Sequence, residues 1–151
     1  MQINRDTDTA SHNILSYGEG EITVIIPRRF DARTVDETQA TQAVPALRRE
    51  IVRSSLLIMP EMLRTDWPPQ DWDALLPEHF DLIAPYEPEV VLLGTGVRLR
   101  HPSPRLYAGL TRLGVGVEVM DTGSACRTYN FLMTDRRRVL AALLMITPAG
   151  A

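Results

Sequence analysis

Apolar and polar positions along this chain switch between a two-residue and a helical rhythm. Ile14–Tyr17 and Glu21–Ile26 are short apolar stretches around Gly18-Glu19-Gly20, the pattern of a β-hairpin, which Pro27 closes. Ser54–Met59 reads as a buried strand stopped by Pro60. Met62–Trp67 extends it or forms another edge, and Pro68-Pro69 then breaks the chain. Over Asp71–Ala84 the residues Trp72, Leu75, Leu76, Phe80 and Ile83 keep helical spacing, with Pro77 placed to split that helix in two. Val90-Val91-Leu92-Leu93 is fully apolar, as a strand covered on both faces requires. Ser103 is positioned as an N-cap with Pro104 at the first helical position. Leu106, Tyr107, Leu110 and Leu113 share one helical face, and Gly114 supplies the stop. Val115–Met120 is the next strand. Strand, helix and strand over 89–120 make a parallel βαβ unit, a connection that is almost always right-handed.

Beyond it, Ser124 is read as the cap of a helix over Ala125–Met133, and Thr134–Arg138 as a turn. Val139–Ile146 is an unbroken apolar run of eight residues. Its leucines and alanines favour helix, whereas its length, the helix before it and Pro148 after it favour a strand, and strand is the reading taken. Two stretches lack such order. Met1–Ser11 reads as a frayed polar arm, and Arg28–Glu50 as a surface excursion with one short helix over Val44–Ile51, despite Pro45. The expected plan is a flexible arm at 1–12, a single α/β domain at 13–147 with an irregular insertion at 28–50, and a tail at 148–151.

Composition narrows the function. The chain has 151 residues, 44% of them hydrophobic, which suits one globular domain. A net charge of -3 argues against a general nucleic-acid binder, and Arg136-Arg137-Arg138 is read as a solvated turn. Cys126 is the only cysteine, so an internal disulfide is excluded. The three histidines have no metal-ligand spacing, and neither metal nor cofactor is expected. Met1–His12 carries no apolar leader, and the longest apolar run is far short of the roughly 20 residues of a membrane helix. A cytoplasmic protein without a transmembrane segment is therefore expected.

The candidate site follows from topology. If the strands ending at Leu93 and Met120 are parallel neighbours, Gly94-Thr95-Gly96 and Asp121-Thr122-Gly123-Ser124 meet at one carboxyl edge, where open α/β sheets usually hold ligands. The helix N-terminus near Ser124 would turn amides toward that edge and attract a small anion. A dinucleotide fingerprint would need glycine where Leu99 stands, and the Gly-Lys-Ser/Thr of a phosphate loop is absent. A tight strand-to-helix turn explains Gly94 and Gly96 equally well. Cys126, in the first turn of that helix beside Arg127, is placed for a lowered pKa, but no base lies near it in sequence, and a small buried thiol is the competing reading. Glu118 and Asp121 fall on opposite faces of a strand, which makes them poor partners in acid–base catalysis.

Three segments carry a resemblance: Pro88-Glu89-Val90-Val91-Leu92-Leu93-Gly94-Thr95-Gly96, Gly114-Val115-Gly116-Val117-Glu118-Val119-Met120-Asp121, and Ala125-Cys126-Arg127-Thr128-Tyr129-Asn130. They resemble a family of small domains of unknown function whose mitochondrial member is an assembly factor of respiratory complex I. The resemblance covers 54–146 and, loosely, the hairpin. It implies a three-layer α/β fold: a central mixed, mostly parallel sheet, helices on one side, and a β layer from the N-terminal hairpin on the other. It also implies that Val139–Ile146 is a strand antiparallel to its neighbours. The expected function is a non-catalytic accessory domain that binds another protein, in the assembly of a respiratory or membrane-associated complex. The alternative is a small-molecule or anion-binding domain using a cleft at Gly94, Thr95, Gly96, Asp121, Thr122, Gly123, Ser124, Cys126, Arg127 and Asn130. A thiol-dependent enzyme built on Cys126 ranks last.

Overall fold

The computed structural model describes residues 11–27 and 48–148. The arm at 1–10 and most of the expected excursion, 28–47, lie outside the described residues. The hairpin forms as expected. β1 (Asn13–Gly18) pairs antiparallel with β2 (Glu21–Ile26), with a register shift between Ile14 and Ser16. A third strand, β3 (Arg48–Val52), joins β2 antiparallel, running from Ile22 opposite Val52 to Ile26 opposite Arg48. The helix expected over Val44–Ile51 is thus corrected: its described part is strand. Helical spacing is weak evidence over so few residues, and pairing with β2 overrides it.

β4 (Leu56–Met59), β5 (Met62–Arg64), β6 (Val90–Gly94), β7 (Gly116–Met120) and β8 (Val139–Leu143) form a second sheet in the order β5-β4-β8-β6-β7. β6 and β7 are parallel neighbours, Val90 opposite Gly116 and Gly94 opposite Met120. The last apolar run is a strand, but its implied direction is corrected. β8 is antiparallel to β4 and parallel to β6. All five β8 residues are buried, so both faces of the sheet are covered there.

The helices follow from the direction of the crossovers. From β6 the chain passes through a 3-10 turn, Pro104–Tyr107, and α2 (Ala108–Arg112) to β7 at the sheet edge. From β7 it returns through α3 (Thr122–Thr134) past β6 to β8. Two crossovers of the same hand that travel in opposite directions must lie on opposite faces. Accordingly Leu110 packs with Val91, Leu93, Leu140 and Ala142, together with Phe80 of α1 (Pro77–Asp81). Ala125, Cys126 and Tyr129 of α3 pack on the other face, with Leu92, Ala141 and Leu143 and with Ile14, Ile22 and Val24 of the small sheet. One outer layer is helical and the other combines α3 with β1–β3.

Two local expectations resolve in detail. The Asp71–Ala84 segment breaks at Pro77 into a 3-10 turn at Trp72–Ala74 and α1, and a second 3-10 turn follows at Ala84–Tyr86. Ser103 does cap its turn, accepting from Arg105 N at 3.4 Å.

Candidate functional site

The two predicted loops do meet at one carboxyl edge, and they are sewn together. Thr95 N donates to Met120 O at 2.9 Å, and Thr122 N donates to Gly96 O at 2.9 Å. Thr122 Oγ1 accepts from Gly96 N at 2.8 Å and donates to Leu144 O at 2.7 Å, tying the segment after β8 into the same seam. Thr122 is fully buried. Gly94 is required by this closeness, because a Cβ there would stand 2.9 Å from both Leu143 Cδ2 and Thr122 Oγ1. Gly96 has φ +98°, outside the range that side-chain-bearing residues favour.

The helix cap is three residues earlier than expected. Asp121, not Ser124, is the N-cap of α3; its Oδ1 accepts from Ser124 N at 2.9 Å and its Oδ2 from Ser124 Oγ at 2.7 Å. Aspartate, threonine and serine are all competent caps, so composition alone left the position open. Hydrogen bonds from the Ser124 hydroxyl and amide, helped by Arg127, hold the Asp121 carboxyl below its ordinary pKa. The Thr122, Ser124 and Ala125 amides are thus all taken by the protein itself.

The remaining predicted residues serve the contact with the N-terminal hairpin. Gly123 is buried in the first turn of α3. Arg127 donates to Ser124 Oγ at 3.1 Å and to the Tyr17 hydroxyl, and its guanidinium lies over the Tyr17 ring. Asn130 accepts from Ile14 N at 2.9 Å and donates to Ile14 O at 2.7 Å. The Tyr129 hydroxyl donates to His12 O at 2.7 Å. Cys126 is buried, and desolvation pushes its thiol up to about 12, against the pull of Arg127. Burial therefore outweighs the helix end that favoured a reactive thiolate. His12 lies with Nδ1 3.0 Å from Pro60 O, and His79 Nδ1 accepts from Leu76 N.

The open space lies beside the seam. A groove of about 380 Å³ runs along the carboxyl ends of β6 and β8, between the 70–73 segment and the loop after Gly94. Thr95, Gly96, Arg98, Arg100 and Met145 line one side of it, and Trp72 with the carboxylates Asp71 and Asp73 lines the other. Thr95 Oγ1 shapes the loop, 2.7 Å from Arg98 O and accepting from Arg100 N at 3.2 Å. Arg100 stacks over Trp72, 5.8 Å from the ring centroid. Among the described residues neither Arg98 nor Arg100 has a carboxylate partner within salt-bridge distance. Val97 and Leu99 are 55% and 48% exposed on the same loop. Trp67, in contrast, is core, edge-on to Phe80 and donating to His79 O. The sequence carried a usable sign of this wall: Val97-Arg98-Leu99-Arg100 alternates apolar and basic residues directly after the glycine turn. Trp72 comes from a distant segment, and only tertiary packing brings it there.

The basic run at the opposite end of the sheet is engaged locally. Arg138 donates to Tyr86 O at 2.6 Å and Glu87 O at 3.1 Å, closing a 3-10 turn, and Arg137 approaches Glu89 at 3.7 Å. Among the described residues no three His, Cys, Asp or Glu side chains are grouped to hold a metal, and no helix is long and apolar enough to cross a membrane.

Comparison with known proteins agrees with this architecture. The chain is similar to a Xenopus tropicalis protein named NADH dehydrogenase [ubiquinone] 1 alpha subcomplex assembly factor 3, with 43% identity over 56 residues, 37% of this chain and 31% of that protein. It is 31% identical over 74 residues to a Francisella tularensis protein named 13 kDa major membrane protein, covering 49% of this chain and 60% of that one. In both, the matched stretch is less than two thirds of the relative's length. The fold matches the solution structure of a Bordetella pertussis Mth938-like domain with a TM-score of 0.70 and 27% identity, over 97% of this chain and 94% of that one. A family model described as protein of unknown function (DUF498/DUF598) matches residues 37–144, and with most of the described domain inside that match, this chain belongs to that family.

Proposed function

We propose that this domain is a non-catalytic accessory protein of the cytoplasm that binds another protein during assembly of a respiratory or membrane-associated complex. The observation that carries the reading is the wall of the carboxyl-edge groove. Exposed Val97 lines it with Arg98, Arg100 and Trp72, and exposed Leu99 lies on the same loop; arginine and aromatic residues around an apolar centre are what protein interfaces enrich. The relatives named as assembly factors support the same role. The test is crosslinking capture of partners by the tagged protein in its native host, with the wild type compared against Val97→Asp and Arg98→Glu. A partner captured by the wild type and lost from both variants supports docking through this wall, and equal capture by all three removes the wall from the interface.

A second reading rests on the two arginines without carboxylate partners. They, with Thr95 and Gly96 of the sequence-predicted set, offer guanidinium donors to a small anion on one wall of the groove, against Asp71 and Asp73 on the other. Titration with inorganic phosphate and with citrate, followed at the Arg98 and Arg100 side-chain NMR signals, separates it from the first. Saturable shifts abolished by Arg100→Gln favour the anion.

A further inference from the structure

The described sheets end in four edges, and they are guarded unequally. β1 has its outer backbone groups at Ile14 taken by the Asn130 amide. β5 is three residues long, with Arg64 tied to Asp66 and to the Tyr86 hydroxyl. β3 carries Arg48, Arg49 and Glu50 in succession. Of these devices, which proteins use to stop an edge from pairing with other chains, β7 has only the single charge of Glu118. Its register with β6 decides which groups are spare. Gly116 N donates to Glu89 O and Met120 O accepts from Thr95 N. In a ladder the alternate residues point the other way, so the amides and carbonyls of Val117 and Val119 face outward. On the helical face, Val115, Val117 and Val119 form a row only partly covered by the core. On the opposite face Glu118 is exposed, and it makes no ion pair among the described residues.

From this we infer that β7 is a strand-addition site for an extended segment of another protein that carries a basic residue opposite Glu118 and apolar residues against the valine row. The occupant follows from the edge's own chemistry. An antiparallel strand takes up the spare groups of Val117 and Val119 as hydrogen-bonded pairs, which leaves Glu118 in the intervening non-hydrogen-bonded pair, where facing side chains come closest. A second copy of this chain is the poorer partner. The two-fold register that uses both valines sets Glu118 directly against Glu118 of the copy, and like charges at that position are destabilising. Backbone bonding supplies attachment and the single acidic side chain selects the partner, the division of labour usual in strand addition. This site is separate from the groove and stands or falls independently of it.

The test uses the whole chain, labelled with 15N, and two short end-blocked peptides of alternating threonine and valine, one with a central arginine and one with a central glutamate. The arginine peptide is expected to shift the Val117 and Val119 amides and slow their hydrogen exchange, leaving Thr95–Arg100 unchanged. The glutamate peptide is expected to bind about fivefold more weakly. Glu118→Gln narrows that difference without touching the backbone ladder, and Val119→Pro removes an outward donor and abolishes binding of both peptides. Equal affinity of the two peptides for the wild type, or shifts confined to other surfaces, overturns the assignment. A wild-type dimer in sedimentation that Val119→Pro dissociates overturns it in favour of a second copy.

Discussion

Two regions at the same sheet edge are built on opposite terms. Between β6 and β7 the point where the crossovers diverge is closed: Thr122 Oγ1 joins Gly96 N to Leu144 O, and Gly94 gives up its side chain so that the loops can touch. Between β6 and the 70–73 segment the edge stays open, lined by Arg98, Arg100 and Trp72. Many α/β proteins hold a ligand at the divergence point itself. Here that point has been spent on cohesion, and the concave surface lies one step to the side. The difference predicts that substitutions in the seam act on stability and substitutions in the groove act on binding.

The largest effect is expected at Thr122. Thr122→Val keeps the shape but leaves Gly96 N and Leu144 O without their buried partner, each at about 1–3 kcal/mol. Chemical denaturation is expected to show a loss of about 2–4 kcal/mol, and a loss under half of that would mean that the seam is not what holds the edge together. Gly94→Ala comes next. The added methyl meets Leu143 and Thr122 at 2.9 Å, and overpacking of this kind costs about 1–3 kcal/mol. A neutral result would show that the loops can move apart and that a cleft can open between them.

Asp121 sharpens the comparison through pH. Its cap bonds to Ser124 depress its carboxyl pKa in the folded state below the ordinary 3.8. A depressed pKa contributes stability that is present above the unfolded value and is lost as pH falls through the folded one. Stability is therefore expected to decline below about pH 4, with that decline reduced in Asp121→Ala, which itself costs about 1 kcal/mol as a lost cap. Thermal melts of both proteins across the acid range check it. Cys126 has the opposite sign. Its thiol, raised from 9.0 to about 12 by burial, contributes stability below pH 9.0 that is lost as pH rises toward 12. Labelling of the native thiol is expected to wait on opening of the α3 contact.

The parts of this architecture that could be read in the sequence are those with local causes. Val90–Leu93, the Ser103-Pro104 start and the Gly114 stop each carry their own reason to form strand, cap and terminus, and the parallel pairing of β6 with β7 follows from the helical crossover between them. What could not be read depends on partners distant in the chain. Arg48–Val52 becomes a strand because β2 offers it an edge. β8 lies antiparallel to β4 and parallel to β6 because it fills the space between two strands that the chain laid down separately. The site divides the same way. Gly94, Thr95 and Gly96 were legible as an edge turn, whereas the role of Asn130 as a clamp on Ile14, and of Trp72 as a groove wall, arises only when segments far apart meet.

The smallest expected change in stability is the one that separates the two regions most cleanly. Arg98 and Arg100 have no carboxylate partners among the described residues, and surface substitutions of that kind usually fall within about 0.5 kcal/mol. Arg100→Gln additionally loses its stacking on Trp72, worth about 0.5–1 kcal/mol at an exposed site. Arg98→Gln is therefore expected to melt like the wild type and Arg100→Gln only slightly below it, while both lose whatever the groove binds. The measurement pairs a melt with partner capture on the same preparations. If Arg100→Gln instead destabilised the fold as strongly as Thr122→Val, the groove wall would belong to the same cohesive network as the seam. The sheet edge would then have one purpose, and the interface would have to be sought elsewhere on the surface.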